Sequence, residues 1–286
     1  MTADYVLVGH LTADLTPNGR IAGGTVSYAA RSAAAFGWRV AVVTSAQADE
    51  PLIEALRPYA DIRVIPADAT TTFENIYTSS GRTQYVRQRA QTIHKDDIPA
   101  DLRESVLVHL APIADEIAYD VVEAFPNSTI LGTLQGWMRQ WDESGIVRYK
   151  PLMDIPFLRA LNIAVFSEED VVHAVDPIGA ELWIAGYVRQ TFVTRAEQGG
   201  SYFHDGIHES YTSPDADVLD PTGAGDVFAS SLLSSLPLVS YDIRLATRIA
   251  AALASKSVTR VGLLSAPSIE EVQVTLRDII QAANGR

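Results

Sequence analysis

Asp220-Pro221-Thr222-Gly223-Ala224-Gly225-Asp226, followed at once by Val227-Phe228-Ala229-Ser230-Ser231-Leu232-Leu233, reads as a turn running into a helix. Two glycines separated by one alanine make a loop whose backbone N–H groups can point at a ligand. The helix behind it adds unpaired donors and the positive end of its dipole. The combination is a cradle for an anion, with Gly223, Ala224 and Gly225 as the donors. Asp226 falls at the rim, where a carboxylate can take a proton from a hydroxyl attacking a phosphate held in the cradle. A plainer reading stands beside this one: an Asp in a first turn also complements the helix dipole.

The rest of the chain bounds what such a cradle belongs to. With 286 residues, 47% of them hydrophobic, the chain can bury a large core, either one big α/β domain or one with a small appendage. It contains no cysteine, which removes disulfides, thiolate nucleophiles and zinc–thiolate sites together and fits a reducing compartment. Met1-Thr2-Ala3-Asp4-Tyr5 carries an acid where a signal peptide would be basic, and the apolar runs are too short to span a bilayer. A cytoplasmic protein without a membrane partner is expected. A net charge of −13 argues against a nucleic-acid partner. It also requires that positive character for any phosphate come from backbone amides, a few arginines or a divalent cation.

Asp4-Tyr5-Val6-Leu7-Val8, closed by Gly9, has the pattern of a buried strand, and Asp14 follows just past its end, where open α/β sheets place their ligands. Gly23-Gly24 precedes a small-residue helix over 25–36, and Arg39–Thr44 reads as the next strand. From 62 to 93 the period changes to alternation, predicting a β-hairpin of 71–78 with 83–89 around Ser79–Arg82. On that hairpin Arg82, Arg87 and Arg89 read either as a solvated edge or as a clamp for a substrate phosphate. Strand patterns at 106–110, 129–131, 163–166 and 191–194, with helical patterns at 115–125, 155–160 and 168–187, imply a parallel sheet with right-handed crossovers. His109 lies inside a strand pattern, as a core residue. His204 and His208, around an Asp-Gly turn, are expected to face each other across strands. Gln135 and Arg139 follow a strand end, either in a capped helix start or facing a substrate. No Gly-x-x-x-x-Gly-Lys-[Ser/Thr] occurs, which excludes the P-loop route to phosphoryl transfer.

The 220–226 run, with these landmarks in this order, resembles the ribokinase (PfkB-type) carbohydrate kinases over nearly the whole chain; Pro221 departs from the commonest form. The resemblance implies a three-layer α/β/α sandwich with a mainly parallel central sheet. It forms a single domain over 1–286 with a small, reduced β lid from about 10–24 and 70–93, in which part of the first hairpin is missing. It makes Asp226 the catalytic base and Gly223, Ala224 and Gly225 the anion hole. Asp14 becomes the acceptor of substrate hydroxyls, and Gly23-Gly24 the hinge of the lid. Tyr28 stands where the family has an Asn that touches the sugar, so a ribose pocket is not implied. Ser167-Glu168-Glu169-Asp170 stands where the family carries Asn-x-x-Glu, so Asp170 is the residue to hold magnesium through water. Thr194, Ala196, Glu197 and Gly199 fall on the family's Thr-x-Gly-x-x-Gly nucleotide loop, with Ala196 in place of glycine. Ala251 lies on the helix set against the adenine. The implied cofactors are ATP and Mg²⁺, with a monovalent cation such as K⁺ left open. The implied reaction is γ-phosphoryl transfer to a sugar or cyclitol, in a monomer or in a homodimer through the lid. The Gly-Gly-Thr-Val-Ser-Tyr and Gln-Gly-Trp-Met-Arg runs look closer to inositol-kinase-like members. A nucleoside kinase and a non-catalytic sugar or nucleotide sensor are the alternatives.

Overall fold

Alternation along single strands decides the layers. In the segment Tyr5–Val8, Tyr5 and Leu7 enter one hydrophobic cluster while Val6 and Val8 enter the other, and Val40–Val43 splits in the same way. A strand apolar on both faces must be covered on both, which is the signature of a parallel sheet between helices. The computed structural model describes residues 3–78 and 81–285. In chain order its strands are β1 (Tyr5–Val8), β2 (Thr12–Thr16), β3 (Gly19–Gly23), β4 (Val40–Ala46), β5 (Asp61–Pro66), β6 (Thr72–Thr78), β7 (Gly81–Gln88), β8 (Leu107–Leu110), β9 (Thr129–Thr133), β10 (Arg139–Gln140), β11 (Arg148–Tyr149), β12 (Ile163–Ser167), β13 (Gln190–Thr194), β14 (Gly200–His204) and β15 (Ile207–Tyr211). Its α-helices are α1 (Thr25–Ala35), α2 (Ile155–Ala160), α3 (Glu168–Val171), α4 (Pro177–Ala185), α5 (Ala224–Ser235), α6 (Ile243–Ser257) and α7 (Ile269–Asn284).

Among the described residues nine strands form the central sheet, in the order β15-β14-β13-β12-β9-β8-β1-β4-β5. β13 through β5 in that order pair in parallel, and β14–β15 close one edge as an antiparallel hairpin. Apolar residues of α1, α5, α6 and α7 pack on one face and those of α2, α3 and α4 on the other, giving the α/β/α sandwich. A second sheet, β3-β2-β6-β7, stands over the carboxyl edge of the first. It has its own small core of Phe73, Val86 and Ala114, with Ile113, Trp141 and Val147 against it. The hairpin of β10 and β11 widens it, because Val86 N–H donates to Gly145 O at 2.9 Å and Val147 N–H to Gln84 O at 2.9 Å.

Several elements differ from the sequence expectation for identifiable reasons. Ile62–Ile65 belongs to the central sheet, where β5 pairs in parallel with β4. β2 and β3 form a short antiparallel hairpin with a two-residue connection. The pattern at 168–187 divides into α3 and α4, since Pro177 cannot continue a helix and Asp176 caps the new one by accepting from Gly179 N–H at 2.9 Å. The pattern at 115–125 yields a 3₁₀ segment over Tyr119–Ala124. His204 is registered opposite Ile207, and His208 opposite Phe203, so the two histidines do not face each other. Ser79, Ser80 and the Arg82 side chain lie outside the described residues. Arg87 pairs with Glu74 at 2.6 Å on the outer face of the lid.

Candidate active site

The anion loop is shaped by two residues outside it. Asp220 accepts from Thr222 N–H at 3.0 Å and from Gly262 N–H at 3.0 Å, bracing the turn. Gly223 then caps α5 in the left-handed region, with φ 83°. A Cβ there would stand 2.4 Å from ring atoms of Tyr28, so the tyrosine ring lies flush against the loop and only glycine fits. Val227 N–H closes the first helical turn on Gly223 O at 2.9 Å. Ala224 N–H is turned to Pro221 O at 3.2 Å, and Gly225 is exposed with open space where a Cβ would be. The open side of the loop is therefore at Gly225.

Asp226 is half-buried in the first turn of α5. Burial pushes its carboxyl up to about 6. A hydrogen bond from Thr25, the first residue of α1, and the positive field of Arg139 oppose that shift, while Asp170 adds to it. Asp14, on β2, is also pushed up by burial, against the Thr12 hydroxyl, which donates to it at 3.1 Å, and the same Arg139. One guanidinium thus acts on both carboxylates. Tyr28 faces this group from α1. Its phenol is raised by burial and by the negative fields of Asp226, Asp14 and Asp220. The Gly-Gly pair makes the approach possible. A Cβ on Gly23 would be 2.3 Å from an Asp14 oxygen, and one on Gly24 would be 2.7 Å from His10 O.

Gln135 lies in the 3₁₀ segment Leu134–Met138 that follows β9, and Arg139 caps its end. Gln135 donates to Asp170 at 2.8 Å, which joins the loops after β9 and β12. Ser167 and Asp170 form a capping box on α3: Asp170 accepts from Ser167 N–H at 2.8 Å and the Ser167 hydroxyl from Glu169 N–H at 3.2 Å. Asp170 therefore caps a helix and also biases the Asp226 carboxyl. Gln135, Arg139, Glu169, Asp170 and His173 line an open cleft of about 580 Å³, closed on its other side by Gln84 and Arg148 of the lid.

The 194–199 loop lies at the end of β13. Ala196 and Glu197 are exposed, and Thr194 is half-buried with its hydroxyl 3.5 Å from Phe166 O. Gly199 is buried, with φ 85°, and a Cβ there would stand 2.1 Å from Tyr211 O. Arg195 in this loop is held by Glu168 at 2.8 Å and Glu181 at 2.6 Å. Ala251, which the resemblance puts on the helix set against the adenine, is on α6. It is 4% exposed and packs in the core, because that side of α6 is turned toward α5 and the sheet, and the adjoining chain is tied down by Ser255 donating to Pro214 O at 2.7 Å.

Sequence reasoning passed over Glu116 and read Arg89 as a solvated edge or a phosphate clamp. Glu116 is fully buried and accepts backbone N–H groups of the segments that follow β1 and β8. Arg89 is neither solvated nor a phosphate clamp: it donates to Ala114 O at 2.8 Å and Asp115 O at 2.7 Å. Only the spacing of Glu116 after a strand end hinted at a place near the site. His109 is a core residue as read. Its Nδ1 lies 3.2 Å from the Tyr5 hydroxyl, and burial drives its pKa down to about 3.

Against solved structures this architecture is that of the ribokinase-like fold. It superposes on a pyrophosphate-dependent kinase of the ribokinase family, complexed with a pyrophosphate analog and myo-inositol, with TM-score 0.79 and 20% identity, over 94% of this chain and 99% of the other. The ribokinase of Thermotoga maritima gives 0.74 and 17%, over 96% and 99%. Among sequence relatives, the cytidine kinase of Thermococcus kodakarensis is 25% identical over 249 residues, 81% of this chain and 87% of the relative. Residues 159–270, which contain the anion loop, match the pfkB family carbohydrate kinase. This part of the chain is thus similar to PfkB-type carbohydrate kinases, and the sequence relative that the chain resembles is itself a kinase. Among the described residues no helix is long and apolar enough to cross a membrane.

Proposed function

We propose that this chain transfers the γ-phosphoryl group of ATP to a hydroxyl of a sugar or cyclitol, with Asp226 as general base. The observation that carries the reading is the environment of Asp226. It is a half-buried carboxyl with its pKa raised to about 6, at the helix end that opens on the Gly225 amide, sharing one arginine with Asp14. A base tuned close to working pH combines the correct protonation state with driving force for proton transfer. Asp14 orients the acceptor, Asp226 removes its proton, and the open Gly225 end of the loop and Arg139 stabilise the charge on the transferring group. Closing the lid over the cleft excludes water, so that the acceptor hydroxyl reacts in its place.

The residues present fit magnesium in its water-bridged form. Asp170 and Glu169 line the cleft and would hold its water shell, and among the described residues no three His, Asp or Glu converge to bind a cation by themselves. Bound there, magnesium would neutralise phosphate charge. The exposure of Ala196 and Glu197 supports a nucleotide lying along the 194–199 loop, and a monovalent cation would be an optional addition. The protein would act in the cytoplasm. A homodimer through the lid, the alternative to a monomer, would cover the exposed Leu15, Ile21 and Ile76. The pyrophosphate-dependent, myo-inositol-bound neighbour favours a cyclitol acceptor, and the cytidine kinase relative supports a nucleoside as the second reading.

The test is turnover of Asp226→Asn with ATP, Mg²⁺ and a panel of cyclitols, sugars and nucleosides. Loss of at least ~10²-fold in kcat is expected for removal of a general base. An undiminished rate refutes the assignment, and acceptor-induced ATP binding without phosphorylated product would establish a sensor instead.

A further inference from the structure

Glu116 has no exposed surface, yet its two oxygens are fully engaged with backbone. They accept from His10 N–H at 2.9 Å, from Ile113 N–H at 3.0 and 2.9 Å and from Ala114 N–H at 2.6 Å. The donors come from the two segments that leave the carboxyl ends of β1 and β8, which flank each other in the sheet. Charge-assisted bonds of this kind are among the stronger ones a protein makes. From the opposite side Arg89, just past β7, holds the carbonyls of Ala114 and Asp115. Asp115 itself lies in the left-handed region with φ 52°. A non-glycine residue stays there only where its surroundings over-determine the backbone. Between these clamps, Ile113 gives its N–H to Glu116 and its carbonyl to Arg139, whose guanidinium donates at 3.1 Å.

We propose that Glu116 is a positioning residue of the phosphotransfer reaction: by locking the 113–116 segment it fixes the Ile113 carbonyl, and through it the orientation of the Arg139 guanidinium toward Asp14 and Asp226. The inference rests on the reading of Asp226 as the base. Arg139 is the cation acting on that carboxylate, and the other groups facing it are Asp170, the Tyr28 phenol and the Thr25 hydroxyl. Around Glu116 the charged and titratable groups include Arg89, His10 and the adjacent Asp115, which pairs with Lys150. His10 is held neutral by burial, with its ring 2.6 Å from the Thr71 hydroxyl and 2.8 Å from Gln91 O.

Glu116→Gln tests the idea, because an amide NH₂ would be forced against N–H donors that now meet only oxygen. Two measurements separate the outcome from a merely structural effect. Kinetically, kcat is expected to fall by about 10- to 10²-fold, the scale of a misoriented catalytic group. In the Arg139→Ala background the same substitution is expected to cost less than about 2-fold more, as for residues acting in one chain. In the free protein, the titration midpoint of the Asp226 carboxyl, followed by ¹³C NMR, is expected to move to higher pH as the guanidinium withdraws. That readout needs no turnover, so it stands even if the kinase reading fails. A folded Glu116→Gln variant with wild-type kcat and an unmoved midpoint overturns the proposal, as does an undiminished effect in the Arg139→Ala background. Should Glu116→Gln not fold, Glu116→Asp, which keeps the charge and withdraws it by one methylene, is read by the same two measurements.

Discussion

At Asp226 function and stability pull in opposite directions. Its carboxyl is raised from 3.8 to about 6, so the fold favours the protonated form and is taxed by the ionised one. The penalty is absent below pH ~4, grows through the window up to ~6 and is full above it. Asp226→Asn is therefore expected to stabilise the fold by about 1–2 kcal/mol at pH 8 and by almost nothing at pH 4, measured by denaturant unfolding at both pH values. Equal gains at the two would show that burial is not what raises the group. In the wild type, kcat/KM should fall on the acid side through pH ~6, since the base must be ionised. Gly223 gives a second prediction at this scale. With φ 83° and the Tyr28 ring where a Cβ would be, Gly223→Ala combines left-handed strain with overpacking, and it should cost about 2–4 kcal/mol of stability and most of the activity. An alanine variant as stable as wild type would mean that the ring can move away.

The elements that border the cleft carry the departures from family pattern, and each has a mechanical account. Ala196 occupies the left-handed region, φ 46°, at the position where the family's motif has glycine. Ala196→Gly should raise stability by about 0.5–1 kcal/mol, since relief of the strain exceeds the entropy that glycine loses. A fall in Tm would show that the loop is set by its neighbours instead. The Ser167–Asp170 box keeps α3 capped without the family's Asn and Glu, and frees an Asp170 oxygen to receive Gln135. Because the Asp170 charge raises Asp226, Asp170→Asn should shift the acid limb of kcat/KM to lower pH and weaken the apparent Mg²⁺ affinity. An acid limb that stays in place would remove Asp170 from the electrostatics of the site.

At the scale of the whole molecule, a chain of net charge −13 leaves backbone amides and Arg139, which acts on Asp14 and Asp226, to supply positive character for the phosphate donor of the proposed reaction. An acceptor at a hundred times its Kd, added with a non-hydrolysable ATP analogue, contributes about 2.7 kcal/mol, an upward Tm shift of roughly 5 °C or more. A panel of cyclitols, sugars and nucleosides in which none shifts Tm would remove all three acceptor classes at once. The strand–helix alternation, the two-faced apolar strands and the glycine turn before α5 were legible in the sequence, because periodicity and backbone chemistry are local. The split of 168–187 was announced by Asp176-Pro177. β5 was hidden by its place at a sheet edge, where burial is partial and the pattern weakens. The contacts of Arg89, Glu116 and Arg139, and the depth at which Ala251 is buried, were decided by tertiary structure alone. Each depends on a partner far along the chain or on the rotation of a helix about its axis. By itself, then, the sequence determined the scaffold and the glycine turn that opens α5, with Asp226 in its first turn. Only the tertiary structure decided that one guanidinium, Arg139, acts on both Asp14 and Asp226, 212 residues apart, since electrostatics act through space and leave no spacing in the sequence.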